Sequence, residues 1–484
     1  MKKSIQKNYI YNLSYQLLTL FTPFITTPYI SRVLGAEGIG IYSYTTSIVS
    51  YFILLASLGV ASYAQREIAY HQENQYIQSR IFYEVFGIRL LTVTVSLFSY
   101  YVLLAHFVHE HPIIYWVQAL NILAVLFDIS WFFQGLEEFG KIVFRNFIIR
   151  IFNIVGIFLF IHSETDLLLY ISLMSIMNVL GGLSIWLYLP RYLICVAKSD
   201  INIFRNFKII IQFFLPQMAI QIYTVFDKTM IGVLTASNLE NGFYEQAEKI
   251  SKMLLMLVTS LGPVMMPRIA AAYAHNDKEA IKHYIMRSYR FVWMIGLPMM
   301  FVTIGLIDTA VPWFFGPGYE KVGLLVKIFS GLLLAIGINN VTGVQYLISV
   351  NKQNTLTLTV LLGAIINFCL NMILIPSMES TGAAIASVAA ETAIALVQFY
   401  FVRTYFSLSK VLQLSKCYLL CSLLMFAFLM MVSSIYYEQT VIYTVALVGL
   451  SVIVYSGFLM LFRDDFFMGF LNKIMGKVRE RLLV

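Results

Sequence analysis

The stretch "SRVLGAEGIGIYSY" at residues 31–44 has an echo two hundred residues later, "IGVLTASNLENGFY" at 231–244. Two further pairs follow in the same order. "LGVASYAQREIAY" at 58–70 matches "LGPVMMPRIAAAY" at 261–273, with Gly59 to Tyr70 and Gly262 to Tyr273 both eleven residues apart. "IFNIVGIFLFI" at 151–161 matches "IINFCLNMILI" at 365–375 and aligns Asn153 with Asn367. Three matches in the same order, at offsets of 200 to 214, mark an internal duplication, a feature common among transporters built from repeated helical bundles.

Composition sets the solvent. Of 484 residues, 59% are hydrophobic and only 12% charged, against roughly 25% charged in a soluble domain. Mean hydropathy is +0.78. A soluble fold of this size has no interior large enough for that much apolar surface, so the chain is read as an all-α polytopic membrane protein. A spanning helix needs about 20 mostly apolar residues. Fourteen segments meet that length: near 9–30, 41–63, 81–105, 112–133, 141–161, 167–189, 209–233, 250–272, 288–310, 323–350, 355–376, 381–403, 416–436 and 440–462. With the duplication, they group as a six-helix lobe over 1–205, a second pseudo-symmetric six-helix lobe over 206–405, and two extra helices over 406–462. An even number of spans per copy gives both copies the same orientation.

Cations orient the chain. With the N-terminus in the cytoplasm, the outer links hold three Lys or Arg residues: Arg32, Lys249 and Lys321. The cytoplasmic links, the span ends beside them and both tails hold 25 of the 33. Five more, Arg89, Arg150, Lys228, Lys252 and Lys327, fall inside spans. Both termini are therefore expected in the cytoplasm. The last segment, 463–484, spaces Phe467, Phe470, Leu471, Ile474, Val478 and Leu482 as one helical face among Lys473, Lys477 and Arg481. That pattern suits an amphipathic helix on the inner leaflet.

"YISRVLGAEGIGIYSYTTSIVSYFILLASLGV" (29–60), followed by "FDKTMIGVL" (226–234) and "FYEQAEKI" (243–250), resembles the bacterial oligosaccharide flippases of the Wzx type. These belong to the multidrug/oligosaccharidyl-lipid/polysaccharide exporter superfamily. The resemblance runs over roughly 8–462 and includes the fourteen-span count. It implies a flippase of the bacterial cytoplasmic membrane, moving polyprenyl-diphosphate-linked oligosaccharide units from the inner to the outer leaflet by alternating access for cell-surface polysaccharide synthesis. Polysaccharide polymerase and glycosyltransferases are implied partners. The family offers no universal catalytic motif to carry over.

The charged residues within spans suit such a task. In the seventh span Gln217, Gln221, Thr224 and Lys228 are spaced by 4, 3 and 4 and form one polar stripe, with Asp227 beside its outer end. Lys228 could instead snorkel to the outer headgroups. In the fifth span Asn146, Arg150 and Asn153 share a face. Arg150 sits near mid-membrane, where an arginine costs about 2.5–17 kcal/mol. The third span carries Arg89 and Glu84; the fourth aligns Gln118, Asn121 and Asp128; Glu391 interrupts the small-residue helix at 381–399. Sugar hydroxyls stripped of hydrogen bonds cost a few kcal/mol each, so the cargo needs a polar path. A diphosphate suits fixed Arg and Lys donors. Arg89, Arg150 and Lys228, with Gln217, Gln221, Thr224, Asn146 and Asn153, are the substrate-binding candidates. Glu84, Asp128, Asp227 and Glu391 are the candidates for proton or sodium coupling. Structural ion pairs are the alternative for each.

Other signals carry less. "GAEGIG" (35–40) lies in an outer turn with no Lys-Ser or Lys-Thr after it, so it is no nucleotide cradle. The four cysteines lack disulfide or metal spacing, and the histidines of "HFVHEHP" (106–112) read as a solvated loop. No metal or cofactor is expected, and cations confined to short links do not make a nucleic-acid surface. A drug/cation antiporter of the same architecture would favour acidic and aromatic lining over arginines. A membrane glycan polymerase or glycosyltransferase would need a larger outer loop than the fifteen or so residues available.

Overall fold

A computed structural model describes residues 5–108, 110–403, 405, 407–469 and 471–472 of the protein, with side chains except at 5–21, 107, 215–217, 219, 220, 222 and 223. The described residues form helices and turns, with no strand among them. Eleven described helical stretches are long and apolar enough to cross a membrane, which makes this a multi-pass membrane protein.

The chain divides into two compact units, Met1–Gly242 and Phe243–Val484. The first holds α1 (Ile5–Ser57), α2 (Val60–Tyr70), α3 (Gln75–Phe107), α4 (Pro112–Phe127), α5 (Ser130–Gly135), α6 (Phe139–Phe160), α7 (Leu167–Ser184) and α8 (Phe207–Thr235). A ninth helix, α9 (Asn238–Thr259), runs across the division. The second unit continues with α10 (Gly262–Ala274), α11 (Lys278–Phe315), α12 (Glu320–Asn339), α13 (Gln353–Val402), α14 (Leu408–Ile435) and α15 (Val441–Leu461).

The links that the sequence places on the outer side are shorter than it suggests. The expected turn over 31–40 is a single-residue break inside α1 at Gly35, with φ 66° and ψ 173°; glycine takes that conformation without a Cβ penalty. The expected link over 234–249 is mostly helix, since α9 starts at Asn238. In α13 the break falls at Glu379, at φ 54° and ψ −134°. The repeat at 58–70 and 261–273 shows as the same local feature twice. A short helix, α2 or α10, follows a longer one after a break of two residues at 58–59 or 260–261.

Apolar burial gives helices little mutual attraction in lipid, so close packing and hydrogen bonds must hold them. In the first unit, the opening stretch 31–44 lies against its own echo. A Cβ on Gly40 would stand 1.7 Å from the Asn238 carbonyl oxygen, and one on Gly242 would stand 1.9 Å from that of Ala36. Hydroxyls tie α3 to α1, Thr92 donating to the Ala56 carbonyl at 2.6 Å and Ser96 to that of Phe52 at 2.7 Å. The second unit satisfies its large polar aromatics in the same way. Tyr289 meets the Thr342 hydroxyl at 2.7 Å, Trp293 Nε1 donates to the Val411 carbonyl at 3.1 Å, and Tyr455 donates to Met294 at 3.0 Å.

The start of the C-terminal tail docks on the second unit. Buried Asp464 accepts the Tyr418 hydroxyl at 3.1 Å and the Phe467 backbone N–H at 2.8 Å, and Phe466 and Phe467 pack on the core. Phe470 and the tail positions Lys473, Ile474, Lys477, Val478, Arg481 and Leu482 lie outside the described residues.

Candidate functional site

One break in a membrane helix lies beside a polar cavity. Helix α4 stops at Phe127, Asp128 is extended (φ −77°, ψ 96°), and α5 starts at Ser130. Within the candidate span Pro112–Gly135, carbonyls freed by such a break must find donors. Trp186 Nε1 donates to the Phe127 carbonyl at 2.8 Å, and Arg89 Nη1 donates to that of Asp128. Glycine at 182 lets α7 approach; a Cβ there would sit 3.0 Å from Phe127 Cβ.

With its backbone held, Asp128 turns its carboxylate to the cavity. Oδ1 accepts the Ser130 backbone N–H at 3.1 Å and the Ser130 hydroxyl, and pairs with Arg145 Nη1 at 3.3 Å. Arg145 is itself fixed: Nη1 donates to Ser130 Oγ at 2.9 Å, while Nε and Nη2 donate to Asn146 Oδ1 at 2.9 and 2.6 Å. The Arg145 side chain is 14% exposed and that of Asp128 52%, so the cation forms the wall and the carboxylate the lining. From the α7 side, Asn178 donates to Asn121 Oδ1 and Asn121 donates to Ser175 Oγ, both at 2.9 Å. These groups surround a cavity of about 300 Å³ lined by α1, α4, α6 and α7, with Ile53, Ile149, Met177 and Gly181 as its apolar part.

The residues singled out in the sequence take different places. Asp128 and Asn146 line the cavity. Arg89 is 3% exposed, and its partner is the backbone beneath Asp128. Removing it leaves a part-buried carbonyl within a membrane span without its donor, at a cost of about 1 kcal/mol. Arg89→Met is therefore expected to lower the thermal midpoint in detergent, and Arg89→Lys, which keeps a donor, to recover part of the loss. Glu84, buried, pairs with Arg205 at 3.2 Å and accepts the Asn202 N–H at 3.1 Å. On α6 beyond the cavity, Arg150 Nη1 and Asn153 Oδ1 are buried without a hydrogen-bond partner among the described residues.

In α8, Asp227 is buried; next to it Thr229 meets Tyr51 at 2.9 Å and Ser47 at 3.0 Å. Lys228 is half-buried, Gln221 is half-buried, and Thr224 is exposed with its hydroxyl on the Gln221 carbonyl. The Gln217 side chain lies outside the described residues. Glu391, in the second unit, accepts the Asn339 amide on both its carboxylate and its backbone carbonyl. Sequence reasoning missed Arg145 and Asn178. Arg145 was counted with the cytoplasmic cations because it starts a span; the asparagine next to it was the available signal.

A family model described as "Polysaccharide biosynthesis protein" matches residues 5–273. The chain is 23% identical over 406 residues to "Putative O-antigen transporter" of Escherichia coli (strain K12), covering 83% of this chain and 97% of that protein. It is 21% identical over 382 residues to "Probable low-salt glycan biosynthesis flippase Agl15" of Haloferax volcanii, covering 75% and 76%. Among solved structures it is similar to lipid II flippase MurJ in an inward closed conformation, with a TM-score of 0.76 and 17% identity, over 95% of this chain and 99% of that one. At that identity the likeness is one of fold.

Proposed function

The chain belongs to the polysaccharide biosynthesis protein family, and from that premise we propose that it is a flippase for lipid-linked oligosaccharides. It is a transporter, not an enzyme: it moves polyprenyl-diphosphate-linked repeat units from the inner to the outer leaflet of the bacterial cytoplasmic membrane by alternating access. The observation that carries this reading is the broken helix at Asp128 beside a polar, charge-bearing cavity. Non-helical backbone at membrane depth is tolerated where protein covers it or where it lines a wet cavity, and in transporters such breaks mark substrate sites. The names of the relatives from Escherichia coli and Haloferax volcanii support the cargo.

On this reading the architecture is fourteen crossings: two six-helix lobes over 1–205 and 206–405, two further helices, and both termini in the cytoplasm. Counting the halves of the helices broken at Gly35 and Glu379 separately, and adding α8, raises the eleven apolar stretches to fourteen. Arg150 and Lys228 attract the diphosphate, with Arg89 reinforcing the break; Gln217, Gln221, Thr224, Asn146 and Asn153 offer hydrogen bonds to the glycan. Glu84, Asp128, Asp227 and Glu391 are the groups from which a proton or sodium site would be drawn. Glycosyltransferases that build the repeat unit and the polymerase that consumes it are the expected partners.

The test is charge reversal of Arg89, Arg150 and Lys228, one at a time, in cells that depend on this chain for surface glycan. The diphosphate assignment predicts loss of export in at least the Arg150 and Lys228 variants at normal protein levels. Full export in both the Arg150 and the Lys228 variants removes it, whatever the Arg89 variant does. Orientation is checked separately: a cysteine introduced at Lys2 should resist a membrane-impermeant maleimide in intact cells, and labelling there contradicts the topology.

A further inference from the structure

Two opposite charges cancel at the wall of the first unit's cavity. Arg145 lies 3.3 Å from Asp128 Oδ1, so the pair presents no net charge to whatever enters. Among the described residues, every hydrogen bond on the Asp128 carboxylate falls on Oδ1, and Oδ2 carries none. Asn146 is engaged through Oδ1, which leaves its NH₂ free to donate. Asn178 is engaged through its NH₂, which leaves Oδ1 free to accept. One acidic acceptor, one amide donor and one amide acceptor thus converge on about 300 Å³, the liquid volume of about ten waters and room for one sugar ring. Ile53, Ile149 and Met177 supply the apolar side against which the C–H face of a ring can lie.

We propose that this cavity is a recognition subsite for one neutral sugar residue of the translocated glycan: a hexose, deoxyhexose or N-acetylated hexosamine. The proposal rests on the flippase reading and narrows it. A carboxylate acceptor beside fixed amides suits adjacent hydroxyls, each of which can donate and accept. An acidic sugar would bring its carboxylate against Asp128 Oδ2, while Arg145, the only cation on the wall among the described residues, is already matched. A diphosphate is disfavoured for the same reason, so the subsite is separate from the anion-attracting residues Arg150 and Lys228. Its selectivity is set by the Asp128–Arg145 balance, since removing the carboxylate leaves one uncompensated guanidinium. Asn146 keeps that guanidinium in place through Nε and Nη2.

The full-length protein in lipid nanodiscs is presented with the methyl glycosides of glucose, galactose, rhamnose, N-acetylglucosamine and glucuronic acid, and binding is read by saturation-transfer NMR. The expected result is saturable transfer to at least one neutral glycoside, bound about tenfold, or 1.4 kcal/mol, better than the glucuronide. In Asp128→Asn the order should reverse in favour of the glucuronide. Asn178→Leu, at an exposed position, should lose the neutral signal while the protein still folds and elutes as a monodisperse peak. No transfer to any neutral glycoside, or the same order in Asp128→Asn as in the wild type, overturns the proposal. Vesicles from the same preparation are assayed for inversion of a polyprenyl-diphosphate-linked glycan. Inversion without glycoside binding removes the subsite and leaves the flippase reading standing; glycoside binding without inversion removes the flippase reading instead.

Discussion

Replacing Arg145 by glutamate is expected to reduce export of the lipid-linked glycan by at least about tenfold at unchanged protein level. The substitution sets two carboxylates against each other where the wild type has an ion pair at 3.3 Å. It also removes the donors that fix the Ser130 hydroxyl and the Asn146 amide. Breaking a fully buried pair costs about 3–5 kcal/mol, but the Asp128 side chain is half exposed and solvent screening lowers the figure to about 1–2 kcal/mol. That is small for the fold and large for a cavity whose function depends on its charge. The exchange Asp128→Arg with Arg145→Asp restores neutrality with the poles reversed, so it should recover measurable export over either single change. If Arg145→Glu exports at the wild-type rate, the cavity lies off the transport path.

The second large effect concerns the fold. Gly40→Val should prevent accumulation of folded protein, because its Cβ would fall 1.7 Å from the Asn238 carbonyl oxygen. Overpacking a core typically costs about 1–3 kcal/mol and more when nothing can move aside; here the obstacle is backbone in a neighbouring helix. Gly449→Val is the control, since nothing lies within 4 Å of a Cβ built there. Fluorescence size-exclusion profiles in detergent should show a monodisperse peak for the control and none for Gly40→Val. A normal peak for both would contradict the close crossing of 31–44 with its repeat.

Residue type explains which parts of this architecture the sequence discloses. Apolar runs of helical length are legible because lipid demands them, and the break at Gly35 is legible because glycine announces it. The break at Glu379 falls within the four-residue link expected over 377–380, next to Pro376, although a non-glycine residue at positive φ does not mark the exact position. Charges within spans were visible, but their partners were not. Arg89 serves a backbone carbonyl thirty-nine positions away, which no side-chain pattern encodes. Arg145, by contrast, was hidden by its place near a span end, where the inside bias of cations seemed a sufficient account. The pairing of Asn121 with Asn178 across α4 and α7 depends on which helices are neighbours, and a duplication read from sequence does not say that.

Inversion of a fluorescent polyprenyl-diphosphate-linked glycan in ATP-free vesicles, followed by loss of access to a lectin or a reducing quencher, bears most directly on the flippase assignment. Wild-type protein should speed inversion well above protein-free vesicles, and Arg145→Glu protein, inserted to the same density, should fall to near the protein-free rate. Inversion by the wild type no faster than in empty vesicles, or equal inversion by the variant, would contradict a passage lined by the Asp128–Arg145 cavity.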